Sequence, residues 1–134
     1  MKLLLDTHAW LWFHLGDAQL SETAIRHILD PANTKFVSPA SFWEISIKIS
    51  LRKYELNVPY AQFMHDSIVG HGFKVLDIAP RHTEFITTLP FPVIGGKEHR
   101  DPFDRLLVSQ AQVEGMQLVS GDGKFPAYGV PIVW

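Results

Sequence analysis

Short apolar runs alternate along the chain with longer segments in which apolar residues recur every three or four positions. Short runs are typical of buried strands, and the longer pattern is typical of amphipathic helices. Strands are predicted at residues 3–5, 35–37, 73–78, 118–119 and 130–133, the last as an edge strand because it contains Pro131. The alternation predicts an α/β fold, a three-layer α/β/α sandwich with a mainly parallel central sheet.

The helix after the second strand is the least certain from pattern alone. Ile45, Ile47 and Ile49 alternate as in a strand, but Ile45 and Ile49 also fit the 3.6-residue period of a helix. Ser38-Pro39 decides for a helix, because serine is a favoured N-cap and proline is favoured at the first helical position. Helices are predicted to begin after Asp6 and at Ser21, Ser38, Asn57, Pro80 and Asp101, with a loop at residues 89–96. The helix from Asn57 is expected to bury Phe63, Ile68 and Val69.

Composition and charge narrow the class of protein. With 134 residues, 46% apolar and 19% charged, the chain is expected to fold as one domain over residues 1–134. It has no cysteine, which excludes disulfides and thiolate metal sites. No signal peptide or membrane span is predicted, so a soluble, cytoplasmic protein is expected. The net charge of -2 offers nucleic acids no general attraction, and any such partner must be held by a local site.

Four acidic residues occupy comparable places in the predicted fold. Asp6 follows the first strand, and Glu44 lies in the helix after the second. Asp104 lies in the first turn of a later helix, and Asp122 follows the strand at residues 118–119. Ligands of open α/β sheets bind outside the carboxyl ends of the strands, where such residues can meet. We therefore consider these acids as one candidate site.

Each acid alone also has an ordinary structural explanation. Asp6 could cap the next helix, and Glu44 could pair with a lysine one turn later. Asp101 could cap its helix, while Asp104 complements the helix dipole. Asp122 could be a turn residue between two glycines. The hypothesis of a shared site therefore depends on the whole set.

Convergence of these carboxylates would have a chemical consequence. Two negative charges about 4 Å apart repel by roughly 4 kcal/mol at an effective dielectric constant near 20. The repulsion can raise a pKa or be relieved by a divalent cation. Because all the candidate ligands are oxygens, Mg²⁺ or Mn²⁺ is the expected ion. Such an ion can polarise a phosphodiester and lower the pKa of a bound water.

Four segments together carry a resemblance to a known family. They are LLLDTH at residues 3–8, SPASFWEI at 38–45, HRDPFDR at 99–105 and SGD at 120–122. In this order and spacing they resemble the PIN-domain ribonucleases, particularly the VapC-like toxins of prokaryotic toxin–antitoxin modules. The resemblance covers essentially the whole chain, and Asp-Pro-Phe-Asp-Arg is its most specific part.

The resemblance implies a function as well as a fold. It implies an endoribonuclease that requires Mg²⁺ or Mn²⁺, cleaves single-stranded regions of RNA, is controlled by a cognate antitoxin and forms a homodimer. Ser120 would be the hydroxyl that precedes the last acid by two positions. Asp101 would cap the helix or contact the water shell of the metal. Arg105 is close in sequence to these acids and could contact a phosphate of the substrate, with a solvated surface charge as its ordinary explanation. The metal-binding and catalytic acids would be Asp6, Glu44, Asp104 and Asp122.

Alternative functions use similar residues. A receiver-like signalling module binding Mg²⁺ would need a phospho-accepting aspartate at the end of a middle strand, where Val37 runs into Ser38 instead. A phosphohydrolase with a first-strand nucleophile would have a second acid where His8 stands. A catalytically inactive PIN-fold binding protein is a third alternative. The seven histidines are predicted to form no site, because no three of them have the spacing of metal ligands.

Overall fold

The computed structural model describes residues 1–134, and its centre is a five-stranded parallel sheet. The strands, in chain order, are β1 (Lys2–Leu5), β2 (Thr34–Val37), β3 (Lys74–Val75), β4 (Val93–Ile94), β5 (Lys97–Glu98), β6 (Gln117–Val119) and β7 (Ile132–Val133). The spatial order of the sheet is β3-β2-β1-β6-β7, with every neighbouring pair parallel. The predicted fold class is confirmed, and β1 is the central strand.

Six α-helices connect the strands. They are α1 (Thr7–Leu15), α2 (Glu22–Leu29), α3 (Pro39–Ser50), α4 (Tyr60–His65), α5 (Pro80–Thr88) and α6 (Pro102–Glu114). The side chain of Ser38 accepts a hydrogen bond from the backbone N–H of Ala40, so the predicted cap of α3 is confirmed. None of the helices is both long and apolar enough to span a bilayer.

Successive residues of β1 face two separate cores. Leu3 and Leu5 pack with apolar residues of α1 to α4, including Trp10 and Phe63. Leu4 points the other way and packs with residues of α6 and of the segment after β6. This division follows from the geometry of a strand, in which successive side chains point to opposite faces of the sheet. Burial of each leucine stabilises the core that it enters by about 1.5 to 3 kcal/mol. The sheet is therefore covered on both faces, and its carboxyl edge is left for polar residues.

Three local expectations were wrong. The predicted loop at residues 89–96 contains β4, which pairs with β5 across Gly95 and Gly96, both at positive φ (60° and 81°). A Gly-Gly pair is a known signal of a two-residue hairpin turn. The strand predicted at residues 73–78 is only two residues long, because β3 is at the sheet edge and pairs on one side. Val69, expected to be buried, is exposed where α4 continues into a π-helical turn, Asp66–Gly70.

Candidate active site

The carboxyl edge of the sheet contains a polar cleft of about 140 Å³. Its walls come from the start of α1, the middle of α3, the start of α6 and the segment after β6. All five acids considered from the sequence line it, together with two lysines. The lining residues are Asp6, Thr7, His8, Glu44, Lys48, Asp101, Asp104, Asp122, Lys124 and Phe125.

Asp6 is both a helix cap and a wall of the cleft. One carboxylate oxygen, Oδ1, accepts from the backbone N–H of Ala9 at 2.7 Å, and the other accepts from the hydroxyl of Ser120. Burial raises the pKa of Asp6, although the hydrogen bonds from Ser120 and Ala9 oppose this. The Ser120 hydroxyl oxygen also accepts from the backbone N–H of Asp122 at 3.0 Å. Ser120 therefore links the two strand-end acids.

The start of α6 places two acids side by side. Asp101 is the N-cap, and its Oδ1 accepts from the backbone N–H of Asp104 at 2.9 Å. Burial, together with the negative charges of Asp101, Asp122 and Glu44, raises the pKa of Asp104 to about 7. In the metal-free chain the Asp104 carboxyl therefore loses its proton much nearer to neutral pH than an ordinary aspartate does.

Glu44 takes part in an ion pair as well as in the cleft. Its Oε2 lies 3.5 Å from Nζ of Lys48, one turn later in α3. Lys48 also donates to the hydroxyl of Tyr54 at 3.3 Å, and that hydroxyl lies 2.7 Å from Nε2 of His8. The ordinary explanation for Glu44 and the site hypothesis are therefore compatible, because the pair itself lies in the cleft wall.

Arg105 does not line the cleft. Its guanidinium is buried and donates to the backbone oxygens of Pro90 (2.8 Å) and Leu89 (2.9 Å). Arg100 pairs on the surface with Glu98. The cationic side chains that reach the cleft are therefore the two lysines, and Arg105 holds the segment between α5 and β4.

His99 is a residue next to the cleft that the sequence did not single out. It is buried, and its Nε2 lies 3.1 Å from Oδ2 of Asp104. Its Nδ1 lies 2.6 Å from the hydroxyl of Tyr128. The spacing of the histidines along the chain does not point to His99. Its position just before the cap of α6 does place it within reach of the first helical turn. Nothing in the sequence indicates the contact with Tyr128, which is 29 residues away.

The chemistry of the cleft fits a hard divalent cation bound partly through water. The candidate ligands are five carboxylates, which are the donors that Mg²⁺ and Mn²⁺ prefer. No three histidine or acidic side chains meet closely enough to form a complete ligand set. Mg²⁺ commonly uses only one or two carboxylates and keeps several waters. The cleft, at about 140 Å³, is large enough to hold several waters beside the ion.

A PIN domain family model matches residues 3–131, and the chain belongs to the PIN domain family. This confirms the family expected from the four sequence segments. No curated protein is similar to the chain at a significant level.

Solved structures share this fold at low sequence identity. A chain of VapBC2 from Rickettsia felis, solved bound to a DNA fragment from their promoter, has a TM-score of 0.72 at 16% identity, with 98% of this chain and 97% of that chain covered. For FitAcB from Neisseria gonorrhoeae the TM-score is 0.62 at 15% identity, with coverage of 97% and 95%. For VapBC-1 from nontypeable Haemophilus influenzae it is 0.64 at 14% identity, with coverage of 98% and 96%. At these identities the likeness concerns the fold.

Proposed function

We propose that this PIN-domain protein is an endoribonuclease that requires Mg²⁺ or Mn²⁺. The observation that carries the proposal is the convergence of five carboxylates on one cleft at the carboxyl edge of the sheet. A scaffold without a ligand gains nothing from such repulsion, which contributes to raising the pKa of Asp104 to about 7. A divalent cation would offset it.

The residues of the cleft have separate tasks in this proposal. Asp6, Glu44, Asp104 and Asp122 would hold the ion directly or through water. When bound there, a divalent cation would supply positive charge to polarise a phosphodiester and to lower the pKa of a water. The ammonium groups of Lys48 and Lys124 contact the phosphates of the RNA strand, since both line the same cleft. Asp101 keeps Asp104 in place through its hydrogen bond to the helix N–H.

The proposal extends to partners. The motifs resemble VapC-like toxins, and structural neighbours carry the names VapBC and FitAcB. We propose that the chain is the toxin of a toxin–antitoxin pair, inhibited by a cognate antitoxin, and that it forms a homodimer. Light scattering on the purified protein tests the dimer. Arrest of bacterial growth on expression, relieved by co-expression of a candidate antitoxin, tests the antitoxin.

RNA cleavage with matched aspartate variants tests the catalytic part. The native chain, Asp6→Asn and Asp104→Asn are incubated with a structured RNA panel in Mg²⁺ and in EDTA. Asp77→Asn serves as the control, because Asp77 is exposed and outside the cleft. We expect cleavage by the native chain and the control in Mg²⁺ only, with both cleft variants reduced at least about 100-fold. Equal cleavage in EDTA, or by the cleft variants, would contradict the proposal. RNA binding without cleavage would favour an inactive PIN-fold binding protein.

A further inference from the structure

Asp104 has a buried partner whose contacts define a hydrogen-bonded chain behind the cleft. We propose that His99 is a positioning residue, which holds the Asp104 carboxylate in the orientation that binds the divalent cation. Tyr128 in turn fixes the tautomer of His99 that can do this. The inference rests on the proposed function, because it takes Asp104 to be a metal-binding acid.

The direction of the hydrogen bonds follows from the neighbours of Tyr128. Arg105 approaches the Tyr128 hydroxyl with Nη1 at 3.5 Å, and a guanidinium can only donate. Two acceptors lie within reach of the hydroxyl hydrogen, Nδ1 of His99 at 2.6 Å and the backbone oxygen of His99 at 3.4 Å, and the much shorter contact assigns the hydrogen to Nδ1. A neutral imidazole that accepts at Nδ1 carries its hydrogen on Nε2. His99 thus donates from Nε2 to Oδ2 of Asp104, at 3.1 Å.

The position of Tyr128 is itself well fixed. It ends the 3₁₀ turn Phe125–Tyr128. The first residue of this turn, Phe125, is buried in the core that contains Leu4. The side-chain amide of Gln112, in α6, donates to the backbone oxygen of Tyr128 at 3.0 Å. Both Tyr128 and Asp104 are therefore anchored to the same helix, so His99 is clamped between two groups that do not move independently.

Asp104 needs a holding contact because its surroundings repel it. The negative charges of Asp101, Asp122 and Glu44 act on it, opposed only in part by Lys124. Repulsion between like charges favours a carboxylate that is turned away from them. Asp101 fixes only the backbone N–H of Asp104. The Nε2–H of His99 uses one lone pair of Oδ2 and leaves Oδ1 and the remaining lone pair for the ion. In other metal sites, losing such a partner of a ligating residue weakens metal affinity by about 10 to 100-fold.

The test is a calorimetric titration of the whole chain with Mn²⁺, without RNA. We expect His99→Ala to weaken the Kd for Mn²⁺ by about 10 to 100-fold. His99→Gln, whose amide N–H reaches about the same place as Nε2–H, should recover most of the affinity. His65→Ala is the matched control, because His65 is exposed and outside the cleft. RNA cleavage by His99→Ala should recover at saturating Mn²⁺, since the residue positions a ligand and does not contact the substrate.

A second readout needs no metal. In ¹⁵N NMR of the metal-free chain, the His99 ring should show hydrogen on Nε2 only. Tyr128→Phe should weaken this preference while the fold is retained, because the Asp104 carboxylate alone then favours hydrogen on Nε2. A ring protonated on Nδ1 in the native chain would overturn the inference. So would a Kd of His99→Ala equal to that of the control, with the native chain still binding Mn²⁺, and the proposed function would survive that result. Absence of Mn²⁺ binding by the native chain would overturn the proposed function, and the inference with it.

Discussion

The two ends of α6 carry the same pair of groups in opposite surroundings. At the first turn Asp104 faces Nε2 of His99, and at the last residue Glu114 faces Nε2 of His82, at 2.7 Å. Both histidines are buried. Yet the pKa of Asp104 is raised to about 7 by burial and by neighbouring acids. The pKa of Glu114 is lowered by its hydrogen bonds with His82 and Arg81.

The helix dipole predicts the reverse of both shifts. A negative charge is favoured near the amino end of a helix and disfavoured near the carboxyl end, by about 0.3 to 1 kcal/mol. The pKa shifts of Asp104 and Glu114 run against these preferences, so the neighbours of each carboxylate outweigh the dipole at both ends. Glu114 is held by groups that satisfy it, as expected of a structural carboxylate. Asp104 is left among like charges, as expected of a carboxylate that waits for a cation.

Removing His82 should have the largest effect on stability. Its Nδ1 accepts from the backbone N–H of Ala79 at 2.9 Å, and its carbonyl oxygen accepts from the hydroxyl of Ser109 at 2.6 Å. His82→Ala leaves a cavity, an unpaired N–H and a less satisfied Glu114, so we expect a loss of about 3 kcal/mol in the free energy of unfolding. Urea unfolding at neutral pH in EDTA measures it.

The same variant shows whether the two ends act separately. His82 is remote from the cleft, so metal-dependent RNA cleavage at a temperature where the variant is folded should stay within about twofold of native. His65→Ala, at an exposed position, should change stability by less than about 0.5 kcal/mol. A His82→Ala protein as stable as this control would show that the Glu114 end is not structural.

Removing the charge of Asp104 should stabilise the metal-free chain. The rise in pKa from 3.8 to about 7 sets an upper limit of about 4 kcal/mol, since one pKa unit is about 1.4 kcal/mol. We expect Asp104→Asn to be more stable than native by about 2 kcal/mol near pH 8 in EDTA, because partial exposure and salt screen the repulsion. Denaturant unfolding, with Asp77→Asn as the control, gives the difference.

The pH dependence of this difference has a definite sign. Between about pH 4 and pH 7 the folded chain keeps the Asp104 proton and the unfolded chain has lost it, so native stability falls as pH rises through this window. The advantage of Asp104→Asn should therefore vanish below about pH 4 and be complete above pH 7. Saturating Mg²⁺ should reverse it, because the ion binds the native folded state. A variant less stable than native in EDTA at pH 8 would contradict the repulsion.

The positions of the acids could be predicted from the sequence, and so could partners within one helical turn, such as Lys48 for Glu44. Partners that are distant along the chain could not. Asp6 and Asp122 closely follow short apolar strands, and parallel strands bring their carboxyl ends to one edge. The approach of Tyr128 to His99 depends on how a 3₁₀ turn packs on α6, which no local pattern encodes. The surroundings of Arg105 were hidden for the same reason: it is buried beneath Phe91, with its guanidinium 3.9 Å from the ring centre.

Glu114→Gln should have the smallest effect on stability. It distinguishes most directly between the influence of the neighbouring side chains and that of the helix dipole on Glu114. The amide oxygen of the new side chain would still accept from Nε2 of His82, and only the charge facing Arg81 would be lost. Because the pKa of Glu114 is lowered, its contribution to stability is present above its ordinary value of 4.5 and is lost as pH falls through the folded pKa. Thermal unfolding near pH 7 should show the variant less stable by about 0.5 kcal/mol, with no difference in acid.

The matched control is Glu55→Gln, at an exposed position outside any ion pair of the chain. About 0.5 M NaCl should reduce the effect of Glu114→Gln on stability, because the Arg81 side chain is exposed to solvent and salt screens its charge. The sign of the difference is decisive. If Glu114→Gln were more stable than native near neutral pH, the helix dipole would dominate at the carboxyl end of α6. The hydrogen bonds that lower the pKa of Glu114 would then not stabilise the fold. The different pKa shifts of Asp104 and Glu114 would have to come from the acids of the cleft alone.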